Sequence, residues 1–328
     1  MANCIRLGII TALALGMLAA PVAVGAQPPA KVPRIGLICA TQCGFMSPGF
    51  QQAMREIGYI DGQNVHIDFR GAGVSDDQLP RLAAELVDRK VDILVAAGTS
   101  AAVWAAKKAT QTIPIVMAVS DEAVESGLID SLSRPGGNIT GLTVPYTDLH
   151  GKQLELLKEA APGVSRVAVI WNPANRAHGL ALERIRTPAR SLGVELVFLE
   201  VRGPVVDLET TFSVAAKQRV GALLVLPDPM LTRTGQLTLL ALQRRLPSVS
   251  TFREFVSAAG LMAYGPSLPE MVRRAAVYVD KILKGTKPAD LPVEQPSRYQ
   301  LVISLTTARA LNLTIPQSIL IRADEVIQ

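Results

Sequence analysis

The chain has 328 residues, a formal charge of +5, 49% hydrophobic residues and 19% charged residues. That length exceeds one ordinary core and predicts two compact lobes, while the apolar content excludes a disordered chain. The positive charges are scattered, Arg244-Arg245 and Arg273-Arg274 being isolated pairs, so the basic balance reads as a solvated surface and no nucleic-acid partner is expected.

The first 26 residues carry Arg6, an apolar run over 7–20, a break at Pro21 and the small residues Val24-Gly25-Ala26. This pattern predicts a signal peptide cleaved between Ala26 and Gln27, in preference to a retained membrane anchor, and so a periplasmic protein. Cys4 precedes the apolar run and is not placed for lipid attachment at its end. Cys39 and Cys43 could close a small disulfide loop in an oxidising compartment or persist as two thiols. With only His66, His150 and His178, a Cys-His metal site lacks ligands, and neither metal nor cofactor is expected.

From Val32 the chain alternates β-branched runs with segments of helical period. The strands are read at 34–39, 65–69, 93–97, 113–118 and 139–144, with helices at 46–57 and 100–109. Between them, Leu79, Leu82, Ala83, Leu86 and Val87 form one apolar stripe of a helix with Ser75 as its N-cap. The alternation restarts with a helix over 147–160 and strands at 167–171, 194–199, 222–226, 248–252 and 261–264. Helices at 208–219 and 231–244 lie between them. A last strong helix carries Met271, Val272, Ala275, Ala276, Val279, Ile282 and Leu283, and Gly285 closes it. The tail offers one more strand, 301–305, and a helix, 307–312.

Nearly continuous apolar strands flanked by helices imply α/β architecture: two lobes with parallel sheets, joined by a hinge that the chain crosses several times. The first lobe spans 32–143 plus about 266–291, and the second about 145–263. The tail from 292 is tied to neither lobe by its sequence, the second being favoured.

Ligands of parallel sheets bind beyond the carboxyl ends of the strands. The candidate binding residues are therefore Thr41 and Gln42, Thr99 and Ser100, Ser120 and Asp121, Asn172, Asp228, Phe252 and Tyr264. Gly98-Thr99-Ser100 opens a helix whose N–H groups suit an anion, although either hydroxyl could simply cap that helix. Asp228 could meet an ammonium group or cap the helix that follows, and Asp121 has the same two readings. Trp171, Phe252 and Tyr264 could stack on a ligand or pack the hinge. No phosphate loop, H-E-x-x-H or G-x-S-x-G motif occurs, which points away from an enzyme.

Four segments carry a family resemblance. They are Gly58-Tyr59 with Gly62-Gln63-Asn64-Val65; Ser133-Arg134-Pro135-Gly136-Gly137-Asn138-Ile139-Thr140-Gly141; Phe252-Arg253-Glu254-Phe255 with Gly260-Leu261-Met262-Ala263-Tyr264-Gly265; and Ile282-Leu283-Lys284-Gly285 with Lys287-Pro288-Ala289-Asp290-Leu291-Pro292. With these the chain resembles the substrate-binding components of ABC transporters, in the subfamily described as tryptophan/tyrosine-type. The resemblance implies a type I periplasmic-binding fold, two Rossmann-like lobes with a cleft and a hinge of three crossings, and delivery of a small-molecule solute to a membrane permease. The expected protein is a monomeric receptor for an amino acid or related compound; the alternative is a sensor that passes closure to a membrane receptor. The loop Cys39-Ala40-Thr41-Gln42-Cys43 departs from the Ser/Gly-rich loop of the family. Ser304 and Asn312 stand where relatives commonly have Asn and Gly.

Overall fold

Strand β1 (Arg34–Cys39) sends Ile35, Leu37 and Cys39 to one face of its sheet and Ile38 to the other, and both faces are buried. A strand covered on both sides belongs inside a parallel sheet. In the computed structural model, which describes residues 31–40, 46–72, 76–202, 207–228, 231 and 235–328, β1 lies between β2 (His66–Gly71) and β3 (Ile93–Ala97). Adding β4 (Ile115–Met117) and β5 (Ile139–Gly141) completes a five-stranded parallel sheet of order β2-β1-β3-β4-β5. Helix α1 (Met46–Glu56) covers one face, while α2 (Leu79–Asp88) and α3 (Ser100–Ala109) cover the other. Gly141 has φ +122°, and a Cβ there would come within 2.3 Å of the Met117 carbonyl oxygen, so the approach of β5 to β4 requires glycine.

The second sheet has seven strands. Four are β6 (Arg166–Trp171), β7 (Glu195–Glu200), β8 (Ala222–Val225) and β9 (Ser248–Ser250); the others are β10 (Met262–Gly265), β11 (Gln300–Ser304) and β12 (Glu325–Ile327). Their order is β12-β11-β10-β9-β8-β6-β7. One face packs on α4 (Tyr146–Ala160) and α5 (Arg176–Ser191). The other packs on α6 (Leu208–Lys217) and α7 (Gly235–Gln243). The two-lobed α/β architecture expected from the alternation is present, with one correction: β11 runs antiparallel to β10, so this sheet is mixed at its edge. The short helix α8 (Arg253–Ser257) follows β9.

The chain passes between the sheets three times. The first crossing, residues 142–145, leads from β5 to α4. The second, residues 266–267, leads from β10 to α9 (Leu268–Leu283), whose Met271, Val272, Ala275 and Ala276 return to the core of the first sheet beside α1. The third runs from Leu291, buried against the first sheet, to Tyr299 before β11. The first and third crossings are hydrogen-bonded to each other: Glu294 N–H donates to Gly141 O at 2.9 Å, and Thr143 N–H donates to Glu294 O at 3.0 Å. Arg274 of α9 clamps the same Glu294 with two bonds of 2.6 and 2.5 Å.

Several local expectations change. The strands read at 113–118 and 139–144 end at Met117 and Gly141, because the residues beyond them turn into the crossing. Ser75 lies outside the described residues; α2 starts at Leu79 after a 3-10 turn, Asp76–Gln78. The tail continues past the expected helix, which is α10 (Leu305–Ala310), into α11 (Gln317–Arg322) and β12. Ser304 caps α10 by accepting from Thr307 N–H at 3.0 Å, and Asn312 takes the left-handed position after it, φ 57°, a role asparagine fills more readily than most residues. The signal-peptide expectation, residues 1–26, lies outside the described residues. Among the described residues no helix is long and apolar enough to cross a membrane.

Candidate functional site

The carboxyl ends of β3 and β4 are adjacent, which brings Thr99 and Ser120 into one wall. Thr99 occupies the N-cap position of α3 with extended backbone, yet its hydroxyl makes no capping bond. The cap comes from elsewhere: Asp121 Oδ1 accepts from Ser100 N–H at 2.7 Å. The N–H that the sequence offered to an anionic ligand is thus already met by an internal carboxylate. Thr99 Oγ1 and Ser120 Oγ are both buried and have no hydrogen-bond partner.

A second wall comes from the carboxyl ends of the second sheet. Asp228 follows β8 and is 4% exposed. Its Oδ2 accepts from Asn172 Nδ2 at 3.2 Å and from Asn175 Nδ2 at 3.3 Å. Asn172 Oδ1 in turn accepts from Ala174 N–H at 2.9 Å, so this residue positions Asp228 with both ends of its amide engaged. Beneath them lies His178, a residue the sequence did not single out. Its Nδ1 accepts from Asn172 N–H at 3.0 Å, which places the proton on Nε2 and directs it to Pro227 O at 3.2 Å. One neutral imidazole therefore ties the end of β6 to the end of β8. Burial lowers the His178 pKa, opposed by the charges of Asp228 and, from the other sheet, Asp121.

Trp171, the last residue of β6, has a buried indole N–H with no partner. Among the described residues four buried side-chain polar atoms lack a partner, and three of them, on Thr99, Ser120 and Trp171, sit at strand carboxyl ends. Natural structures leave few buried polar groups without a partner, so three at strand ends mark this region out.

Aromatic rings gather where the crossings meet. Tyr146, at the start of α4, packs edge-on against Phe252 with centroids 6.2 Å apart. Tyr264 lies beside Tyr299 at 6.0 Å and touches the cores of both sheets. Burial, with Asp121 next in importance, raises the Tyr146 pKa well above the usual phenol value. Tyr146 and Tyr299 were not among the sequence candidates, since single tyrosines at helix and strand boundaries carry no pattern. Below the rings, Gln153 donates to Tyr264 O at 2.8 Å and Thr251 Oγ1 at 3.1 Å, and accepts from His150 Nδ1 at 2.8 Å. Burial holds His150 neutral, with its pKa lowered to about 4.

Thr41 and Gln42 lie outside the described residues. Cys39 is disulfide-bonded, so the choice left open for this residue falls to the disulfide. Thr99, Ser100, Ser120 and Asp121 come together on one wall, Asn172 and Asp228 on the other, and Phe252 and Tyr264 near the crossings. Among the described residues no three His, Cys, Asp or Glu are placed to hold a metal.

A family profile described as "ABC transporter substrate binding protein" matches residues 44–327. A protein of Clostridioides difficile (strain R20291) named tyrosine-binding protein is 28% identical over 269 residues, 81% of this chain and 76% of that one. A conserved domain protein from Vibrio cholerae superposes with a TM-score of 0.82 at 24% identity, over 90% of this chain and 100% of the other. An ABC domain from Streptococcus pneumoniae in complex with L-Trp superposes with a TM-score of 0.78 at 25% identity, over 90% and 99% of the respective chains. The fold is the type I periplasmic-binding fold.

Proposed function

The chain belongs to the ABC transporter substrate-binding family, whose members are extracytoplasmic receptors and not enzymes, and from that premise we propose that it captures an amino acid in the periplasm for a membrane permease. The observation that carries the choice of solute is the pairing of two partnerless buried hydroxyls, Thr99 and Ser120, with a prebuilt carboxylate, Asp228, on the second wall. Hydroxyl donors suit a carboxylate group, and Asp228 suits an ammonium group. Asp121 adds a second negative charge beside the hydroxyls, so a purely anionic solute meets two carboxylates and is disfavoured, whereas the ammonium of a zwitterion offsets one of them. The tyrosine-binding relative and the L-Trp complex support amino acids as the class to test first.

Closure of the lobes would bring the walls together on the solute, remove water from both charged ends and strengthen each contact. The exported form would begin after the apolar leader. Thermal-shift and calorimetric titration with the L-amino acids, including tyrosine and tryptophan, against dicarboxylates, nucleosides and sugars is the test. Stabilisation by amino acids is expected. Stabilisation by another class with none from amino acids would reject this reading.

A further inference from the structure

Helices α3 and α4 open on opposite sheets, and neither supplies its own cap. Thr99 makes no side-chain cap bond at α3, and the N-cap position of α4 is Pro145, which has no side chain able to make one. Both caps come from consecutive residues of the loop after β4. Asp121 accepts from Ser100 N–H of α3 at 2.7 Å. Glu122 Oε1 accepts from the N–H and the hydroxyl of Thr147 in α4, at 2.9 and 2.7 Å. Thr147 Oγ1 then accepts from Arg184 Nη1 of α5 at 2.8 Å, and Arg184 lies 3.8 Å from Glu125 and 3.7 Å from Asp148.

Glu122 is 4% exposed and holds a left-handed backbone, φ 44°, that side-chain-bearing residues rarely adopt. Such a conformation persists only where the surroundings over-determine it. Here the backbone on either side is fastened to the first crossing: Val144 N–H donates to Ser120 O at 2.8 Å, and Ala123 N–H donates to Thr143 Oγ1 at 3.1 Å. The segment Ser120-Asp121-Glu122 therefore holds a partnerless hydroxyl, the cap of a first-sheet helix and the cap of a second-sheet helix, in that order.

We infer that Glu122 is a positioning residue that sets the angle of the second lobe from the ligand wall of the first, through Thr147 and Arg184. The inference deepens the receptor reading and rests on it for the identity of the wall. A solute that engages Ser120 displaces or stiffens a three-residue segment whose next carboxylate is the N-terminal anchor of α4. α4 packs on α5 and on the strand ends that carry Thr251 and Tyr264, so its orientation is that of the second lobe. Glu122 itself touches no solute.

The test measures the distance between spin labels on cysteines substituted for the exposed Lys108 and Lys217, one on each lobe, in the full chain without added solute. Glu122→Ala is expected to shift or broaden the distance distribution, and Glu122→Gln, which keeps the acceptor for Thr147, to restore it. Arg184→Ala should move it in the same direction and add nothing further in the Glu122→Ala background. Affinity for L-tyrosine and L-tryptophan should fall about tenfold in Glu122→Ala and less than about threefold in Glu122→Gln. An unchanged distribution in Glu122→Ala, or full additivity with Arg184→Ala, would overturn the inference. Should Glu122→Ala not fold, Arg184→Ala carries the distance test alone. If the wild type binds neither amino acid, the proposed solute falls, and the distance measurements still decide the role of Glu122.

Discussion

The two walls at the strand ends are built on opposite terms. In the first sheet, Thr99 and Ser120 keep buried hydroxyls with no partner. In the second, Asn172, Asn175 and His178 form a bonded cradle around Asp228 and Pro227. A buried polar group without a partner destabilises the empty protein, whereas a bonded carboxylate is preorganised at little further expense. Under the proposed reading, the first wall gives up stability for recognition and the second presents a rigid charge.

Substitutions at the two walls should separate these roles. The largest effect is expected at Asp228→Ala, where loss of the ammonium partner should weaken amino-acid binding by about 3 kcal/mol, read by calorimetry. Unchanged affinity would move the charged contact away from Asp228. Acid comes next. His150 titrates at about 4 in the fold against 6.5 when unfolded, so the unfolded chain binds more protons between those values. Stability contributed by this neutral imidazole is complete above pH 6.5, declines as pH falls toward 4, and amounts to about 3 kcal/mol when lost. His178 shifts in the same direction. Denaturant midpoints across this pH range should fall with acid, and a shallower profile in the His150→Gln variant, with the His178 part of the slope remaining, would assign the His150 share.

Smaller effects test the contrast most directly. Thr99→Val or Ser120→Ala should leave the empty protein as stable as before or slightly more so, while weakening amino-acid binding by about 1 kcal/mol. Asn175→Ala should do the reverse to the empty protein, lowering its stability by about 1–2 kcal/mol through loss of a bond to buried Asp228 and of the α5 cap on Ala177 N–H. If the hydroxyl variants lower the melting temperature as Asn175→Ala does, the walls are not different in kind. At the bottom of the scale, Arg253→Ala removes an exposed pair with Glu325, and should change stability by only about 0.5 kcal/mol despite bonds of 2.7 and 2.6 Å.

Much of the fold was legible because burial leaves a period in the sequence. The stripe from Leu79 to Leu86 and the run from Met271 to Val279 could only be helices against a core, and the apolar strands called for parallel sheets. The antiparallel turn of β11 was not legible, since Leu301, Val302 and Ile303 are buried whichever way the strand runs. The rule that sites follow strand ends placed Thr99, Ser120, Asp121, Asn172 and Asp228 at the walls. It could not say that Asp121 would take the N–H of Ser100, because the two residues stand 21 apart and meet only when β3 and β4 pair.

His178, Tyr146, Glu122 and Tyr299 were invisible for the same reason, each being a single residue whose partner lies on a different element. The sequence by itself determined the two-lobed α/β plan, because repeated strand and helix patterns are local and additive. It also singled out the strand ends as the candidate places for a ligand. Only the tertiary structure decided which hydroxyls stay without partners, which carboxylate is cradled, and which loop caps a helix on each sheet. Those outcomes depend on distances between segments far apart in the chain, and no local period records them.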